Sequence, residues 1–316
     1  MRAVALEQYG GPETLAVREI DDPKVGPDTV LVEVAAASIN PVDYKIMQGY
    51  LDGAFPALWP LVLGWDVAGR VVGHGPAVRG LEVGQRVFGY ARKDHLGGGS
   101  WAERVAMPAR CVAPAPASLD PVGGSCLPLA GLTAWQSLVE ALAVGPGETV
   151  LVHAATGGVG HLAVQIARAR GARVVGTCSG RNTEFLRSLG ADAVEYGEGL
   201  GDRLRSLAPD GVDAVLDLVG GEALLGSPDL LRSPGRLVSV VDAETVHRLG
   251  GRYVFVRPDA GQLGELARLA DAGDLVPHVH STHPLDDVRA AVAEAMAGVR
   301  GKVVLTVGRP RADYGS

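Results

Sequence analysis

Residues 148–171 read ETVLVHAATGGVGHLAVQIARARG. Thr149 to His153 is a short apolar, β-branched run, the pattern of a buried strand. It passes directly into Ala155-Thr156-Gly157-Gly158-Val159-Gly160. Leu162, Ala163, Ile166 and Ala167 then recur at helical spacing, and Gly171 ends the helix. Strand, glycine turn and helix together form the unit that cradles a dinucleotide pyrophosphate: glycines admit the close backbone, and the helix start offers free N–H groups to the anion. The pattern is A-x-G-x-x-G, with Ala155 where a first glycine usually stands. Its position between a strand and a helix separates it from a chance glycine cluster.

Outward from this unit, strand and helix alternate toward the C-terminus. Expected strands are Thr149–His153, Arg173–Thr177, Ala193–Glu195, Val212–Asp217, Arg236–Val241 and Tyr253–Val256. This is the rhythm of a doubly wound parallel sheet, an α/β fold. Before it, Pro121 to Ala143 is apolar at helical spacing. The first third differs: Arg2–Leu6, Thr29–Ala35, Val67–Gly73, Arg86–Gly89, Trp101–Ala106 and Cys111–Ala113 are short strands between Gly/Pro turns, which suggests a small β-barrel-like domain. At the far end come helices over Gln262–Ala272 and Asp286–Ala297, a short strand at His278–His280, and a closing strand over Gly301–Val307.

The chain has 316 residues, 47% hydrophobic and 21% charged, enough for two ordinary domains with full cores. A net charge of −7 argues against nucleic acid or an anionic membrane as the main partner. No run approaches the roughly 18 apolar residues of a spanning helix, and MRAVALEQYGGPE has no signal-peptide core. Cys111, Cys126 and Cys178 are widely spaced, which suggests a reducing cytoplasm without a disulfide framework. His278, His280 and His283 lack a companion cysteine and are bracketed by Pro277 and Pro284; they read as solvated histidines rather than a metal site. His153 and His161, flanking the glycine turn, read as structural.

Several ordered motifs carry a resemblance over essentially the whole chain: Ser38-Ile39-Asn40-Pro41-Val42-Asp43, Leu63-Gly64-Trp65-Asp66-Val67-Ala68-Gly69, Val83–Gly89, Leu127–Trp135, the Ala155–Gly160 turn, and Gly301-Lys302-Val303-Val304-Leu305. The chain resembles the zinc-free quinone oxidoreductase branch of the medium-chain dehydrogenases/reductases. The resemblance implies a GroES-like β-barrel catalytic domain over residues 1–117, completed by residues 275–316, and a Rossmann nucleotide-binding domain over residues 118–274. It also implies that zinc relatives keep a cysteine where Asn40 stands and a His-Glu pair where Trp65-Asp66 stands. Asn40 and Trp65 cannot serve zinc, which needs at least three N, S or O ligands, so no metal is expected.

The nucleotide is read from the end of the second parallel strand. An NAD-preferring fold places Asp or Glu there to hold the ribose hydroxyl. Here the chain runs Thr177-Cys178-Ser179-Gly180-Arg181-Asn182, with no acid and an arginine close by. Ser179 and Arg181, with Asn182 beside them, suit a 2′-phosphate and hence NADPH; the competing reading makes Arg181 a helix-start surface residue. By the resemblance, Tyr196 lies near the adenosine phosphate, Thr133 near the nicotinamide amide, and Phe255, Val256 and Lys302 along the nicotinamide end.

Without a metal, a conjugated enone or quinone is the fitting substrate. Charge develops on its carbonyl oxygen and needs only hydrogen-bond donors. Asn40, Tyr44, Lys45 and Tyr50 are the candidate donors, and Asp43 orients the loop. The quinone oxidoreductases often carry a tyrosine at the position of Lys45, here displaced to Tyr44. The expectation is a cytoplasmic, homodimeric, NADPH-dependent, zinc-independent reductase of quinones or α,β-unsaturated carbonyls, with Tyr253–Val256 as the pairing edge. The alternatives are a dedicated biosynthetic enoyl reductase and a catalytically silent NADPH-binding scaffold.

Overall fold

A computed structural model describes residues 1–308. It divides into two compact units: Met1–Leu129 with Pro258–Gly273 and residues 277–308, and Ala130–Arg257 with Asp274–Val276.

The second unit holds the expected parallel sheet. Its six strands are Thr149–Val152, Arg173–Cys178, Asp192–Glu195, Ala214–Asp217, Leu237–Ser239 and Arg252–Tyr253. Every neighbouring pair is parallel. Counted along the chain, their spatial order is third, second, first, fourth, fifth, sixth, the order of the doubly wound dinucleotide-binding fold. Leu151, Val175, Val215 and Leu237 on the strands form its core with Leu204, Leu224 and Val246 on the helices. Tyr253–Val256 was expected as a four-residue strand, but the edge strand is only Arg252–Tyr253, extended by the Val254 amide donating to the Ser239 carbonyl. Farther on, the Arg257 backbone turns to Gln136, whose side-chain amide bonds both its N–H and its carbonyl.

The first unit is organised on Thr29–Ser38, ten residues whose inner and outer faces alternate. This strand pairs antiparallel with Asp66–His74, Arg104–Pro108 and Lys302–Thr306. Arg86–Tyr90 and Val112–Pro114 continue the sheet on one side, and Val279–Pro284 on the other. Two short strands absent from the sequence reading, Ala16–Glu19 and Leu61–Val62, flank Arg2–Leu6 in a second, three-stranded sheet. The helix Ala260–Asp271, expected within the nucleotide-binding segment, packs on Val112–Pro114 in this unit, and Asp271 accepts from the Ser118 amide at 2.8 Å.

The single helix expected over Pro121–Ala143 is broken into Pro121–Ser125, Pro128–Trp135 and a π-helical turn over Gln136–Ala141. Pro128 is the cause: it has no N–H to continue the first helix and disfavours helical backbone at Leu127. Where the sequence suggests a loop from Ser38 to Lys45, Pro41–Met47 is a helix with Pro41 at its first position, where the missing N–H costs nothing. Among the described residues, no helix is long and apolar enough to cross a membrane.

Candidate functional site

The barrel unit encloses a charged cluster. Asp66 opens its strand fully buried, and Oδ2 accepts from Ser38 Oγ at 2.7 Å and Asn40 Nδ2 at 2.8 Å. Lys302, 3% exposed at the start of the closing strand, places Nζ 3.5 Å from the same oxygen and also donates to Asn40 Oδ1. Asp66 Oδ1 accepts from the Leu129 amide at 2.7 Å. That amide is one of the orphan donors in the first turn after Pro128, so Asp66 caps a helix through a residue 63 positions further on. The two partners also fix the orientation of the Asn40 amide, its oxygen toward the cation and its nitrogen toward the carboxylate.

Asn40 is 2% exposed and Asp43 fully buried. Asp43 Oδ2 accepts from the Asn40 amide at 2.7 Å, one half of a capping box at the start of the Pro41 helix. Its other oxygen has no hydrogen bond of normal geometry among the described residues. Burial pushes the Asp43 carboxyl up to about 7, with the Asp66 charge adding to it, against the pull of the Asn40 amide and of Lys302. Asn40 and Asp43 therefore both face inward. The outward groups on the same segment are Tyr44, half-buried, and Lys45 and Tyr50, exposed, with Tyr50 at 75%. Burial, and then the neighbouring Asp43, raise the Tyr44 hydroxyl above the ordinary phenol range.

Residues at the zinc relatives' ligand positions do not fit that metal here. Asn40 has both amide ends engaged, Trp65 offers no ligand atom, and three donors with Lys302 among them crowd Asp66 Oδ2. Among the described residues no three His, Cys, Asp or Glu side chains gather as a metal-ligating group. His283 and His280 instead lean on Glu294, at 2.7 and 3.5 Å. Cys111, Cys126 and Cys178 are free and buried.

The nucleotide unit carries the remaining candidates. Ala155 is buried, its methyl turned toward Gly176 of the second strand, where an added Cβ would lie 2.7 Å from it. Gly176 thus makes the room for the alanine that stands in place of a first glycine. Ala154 takes the left-handed conformation, φ 50°, and the amides of Ala154 and Ala155 bond to Thr177. A Cβ on Gly160 would sit 2.2 Å from the Ala154 carbonyl, so the turn closes only around glycine. The amides of Thr156, Gly158 and Val159 donate to no backbone acceptor among the described residues. This is a fit for a pyrophosphate: an open row of N–H groups at a helix start. His153 and His161 are structural, bonded to Thr177 and Ser227 and to the Gly157 carbonyl respectively.

At the end of the second strand Ser179 is half-buried and Arg181 exposed, and Arg181 makes no ion pair or hydrogen bond among the described residues. Asn182 Nδ2 reaches Thr156 Oγ1 at 3.3 Å, tying this loop to the glycine turn. Tyr196 is exposed, Thr133 is buried on the Pro128–Trp135 helix, Phe255 is exposed and Val256 half-buried. Sequence reasoning assigned no role to Ser38, or to Asp66 beyond its motif. A carboxylate opening the apolar run DVAGRVVG was the available signal, since a buried acid requires partners.

The fold and these residues agree with what the chain is similar to. Residues 26–117 match the alcohol dehydrogenase GroES-like domain, and residues 189–305 the zinc-binding dehydrogenase model. The chloroplast envelope quinone oxidoreductase homolog of Arabidopsis thaliana is 31% identical, covering 96% of this chain and 98% of its own length. The chloroplastic NADPH-dependent alkenal/one oxidoreductase of the same plant is 34% identical over 93% of this chain and 75% of its own. The quinone oxidoreductase structure from Coxiella burnetii superposes with a TM-score of 0.86 at 32% identity, covering 98% of this chain and 99% of that one. The two units are thus the GroES-like barrel and the Rossmann sheet of a medium-chain dehydrogenase/reductase. The chain belongs to the quinone oxidoreductase-like members of that family.

Proposed function

We propose that the chain is an NADPH-dependent, zinc-independent reductase of quinones or α,β-unsaturated carbonyls. The observation that carries this reading is the Asp66–Lys302–Asn40 cluster. It supplies its own cation and closes on itself, so the chain offers a substrate hydrogen-bond donors and no Lewis acid. Substrates whose reduction places negative charge on a conjugated carbonyl oxygen need no more than that. The names of the relatives, quinone oxidoreductase and alkenal/one oxidoreductase, support the same class.

A reduced nicotinamide, when bound, supplies the hydride. The amides of Thr156, Gly158 and Val159 would receive its pyrophosphate, and Ser179 and Arg181 the 2′-phosphate. Tyr44, Lys45 and Tyr50 are the donors offered to the substrate oxygen, each worth about 10²–10³ in rate when well placed. The raised Tyr44 hydroxyl stays protonated through the physiological range and can donate there. Asn40 and Asp43 hold the helix that carries Tyr44, Asn40 through Lys302 and Asp66, and Asp43 through the Asn40 amide. A second copy pairing along Arg252–Tyr253 would extend the sheet at its open edge.

The test is consumption of NADPH by purified protein, dialysed against a chelator, with a panel of benzoquinones, naphthoquinones, enones and enals. Turnover of at least one class, unchanged by chelation or added zinc, is expected. Activity that disappears on chelation and returns with zinc would contradict the zinc-free reading, and no turnover of any member would contradict the reductase.

A further inference from the structure

The end of the second parallel strand holds a charge of the wrong sign for the phosphate just proposed. Strand Asp192–Glu195 pairs with Arg173–Cys178 in a parallel register that sets Glu195 opposite Cys178. The Glu195 side chain therefore leaves the sheet at the same level as the Ser179-Gly180-Arg181 loop. Its carboxylate lies against Gly180: an added Cβ there would meet Glu195 Oε1 at 2.8 Å, Cδ at 3.2 Å and Oε2 at 3.3 Å. Gly180 has no left-handed backbone to explain it. What the glycine supplies is space, and the carboxylate fills it.

The carboxylate is also uncommitted. Glu195 is exposed, and no Lys or Arg side chain pairs with it among the described residues. The guanidinium of Arg203, which reaches the backbone here, is spent on the carbonyls of Glu195, Gly197 and Glu198. Gly180 thus sits between an unpaired cation, Arg181, and an unpaired anion, Glu195. One suits a phosphate, and the other suits a ribose hydroxyl that donates a hydrogen bond.

We infer that Glu195 is a specificity-determining residue of the nucleotide site: it accepts from the adenosine ribose hydroxyl of NADH and repels the 2′-phosphate of NADPH, offsetting part of the pull of Arg181 and narrowing the preference for NADPH. The acidic residue that the second strand lacks is supplied from the neighbouring strand. The inference rests on the reading of this strand end as the adenosine-ribose side of a nucleotide site. A phosphate near two charges of opposite sign feels little net field, so NADPH affinity in the wild type depends only weakly on salt. With the carboxylate removed, one cation remains and the dependence steepens.

The experiment is calorimetric or fluorescence titration of NADPH and NADH into wild type, Glu195→Gln and Arg181→Ala, at low and high sodium chloride. Glu195→Gln is expected to raise the NADPH-to-NADH affinity ratio by about tenfold at low salt, with NADPH tighter and NADH weaker. The gain shrinks at high salt. Arg181→Ala is expected to shift the ratio the other way. A ratio that moves less than about twofold in Glu195→Gln, or an equal weakening of both nucleotides, would overturn the inference and leave the nucleotide site standing. Failure of the wild type to bind either nucleotide would overturn the site reading itself and the inference with it.

Discussion

Lys302 Nζ and Asp66 Oδ2 stand 3.5 Å apart inside the barrel unit, joined through the Asn40 amide, although 236 residues separate them in the chain. The contact ties the closing strand to the strand that opens with Asp66. Removing one partner leaves the other charged, buried and unpaired.

Lys302→Met should therefore destabilise the barrel by about 3–5 kcal/mol, read from urea unfolding. Lys302→Met combined with Asp66→Asn should lose less than the sum of the two single variants, because the second change removes the stranded charge. Strict additivity would show that the two side chains are not coupled.

Asp43 predicts a pH dependence with a definite sign. Its carboxyl stands at about 7 in the folded chain, pushed up chiefly by burial. In the unfolded chain it returns to about 3.9. Between those values the folded state holds the extra proton. This contribution is fully present below about pH 4 and is lost as pH rises toward 7, up to about 4 kcal/mol in all. Asp43→Asn keeps an acceptor for the Asn40 amide and cannot ionise. Its stability should fall less than that of wild type as pH rises through this window; equal slopes in the two proteins would contradict the assignment.

Gly176 and Ala155 form a size-matched pair. A methyl added to Gly176 would lie 2.7 Å from the Ala155 methyl and 2.9 Å from Leu186. Gly176→Ala should cost about 1–3 kcal/mol and weaken nucleotide binding by displacing the turn. Ala155→Gly in the same chain should restore part of both losses, leaving the Leu186 clash. No rescue would mean that the alanine is not what the glycine accommodates.

Much of this was open to the sequence, and what was not has a physical reason. Thr149–His153 with its glycine turn, and the alternation in Thr29–Ala35, gave the two folds because periodicity is local. Pro128 marks a helix break in the sequence as well, since proline's missing N–H is a local property. The Asp66–Leu129 cap, the Lys302–Asn40 contact and the position of Glu195 against Gly180 depend on strand register and long-range pairing, which one sequence does not display. Asn40 was read as a substrate-facing donor because its type allowed it; the fold turns it inward. The short edge strand fails to reach Val256 because the Arg257 backbone bonds to Gln136 instead of continuing the ladder.

NADPH dependence is tested most directly by calorimetric titration of NADPH and NADH into wild type and Arg181→Ala. Tight NADPH binding that weakens about tenfold or more in the variant, with NADH unaffected, is the expected result. Binding of neither nucleotide, or NADPH affinity indifferent to the loss of Arg181, would contradict it.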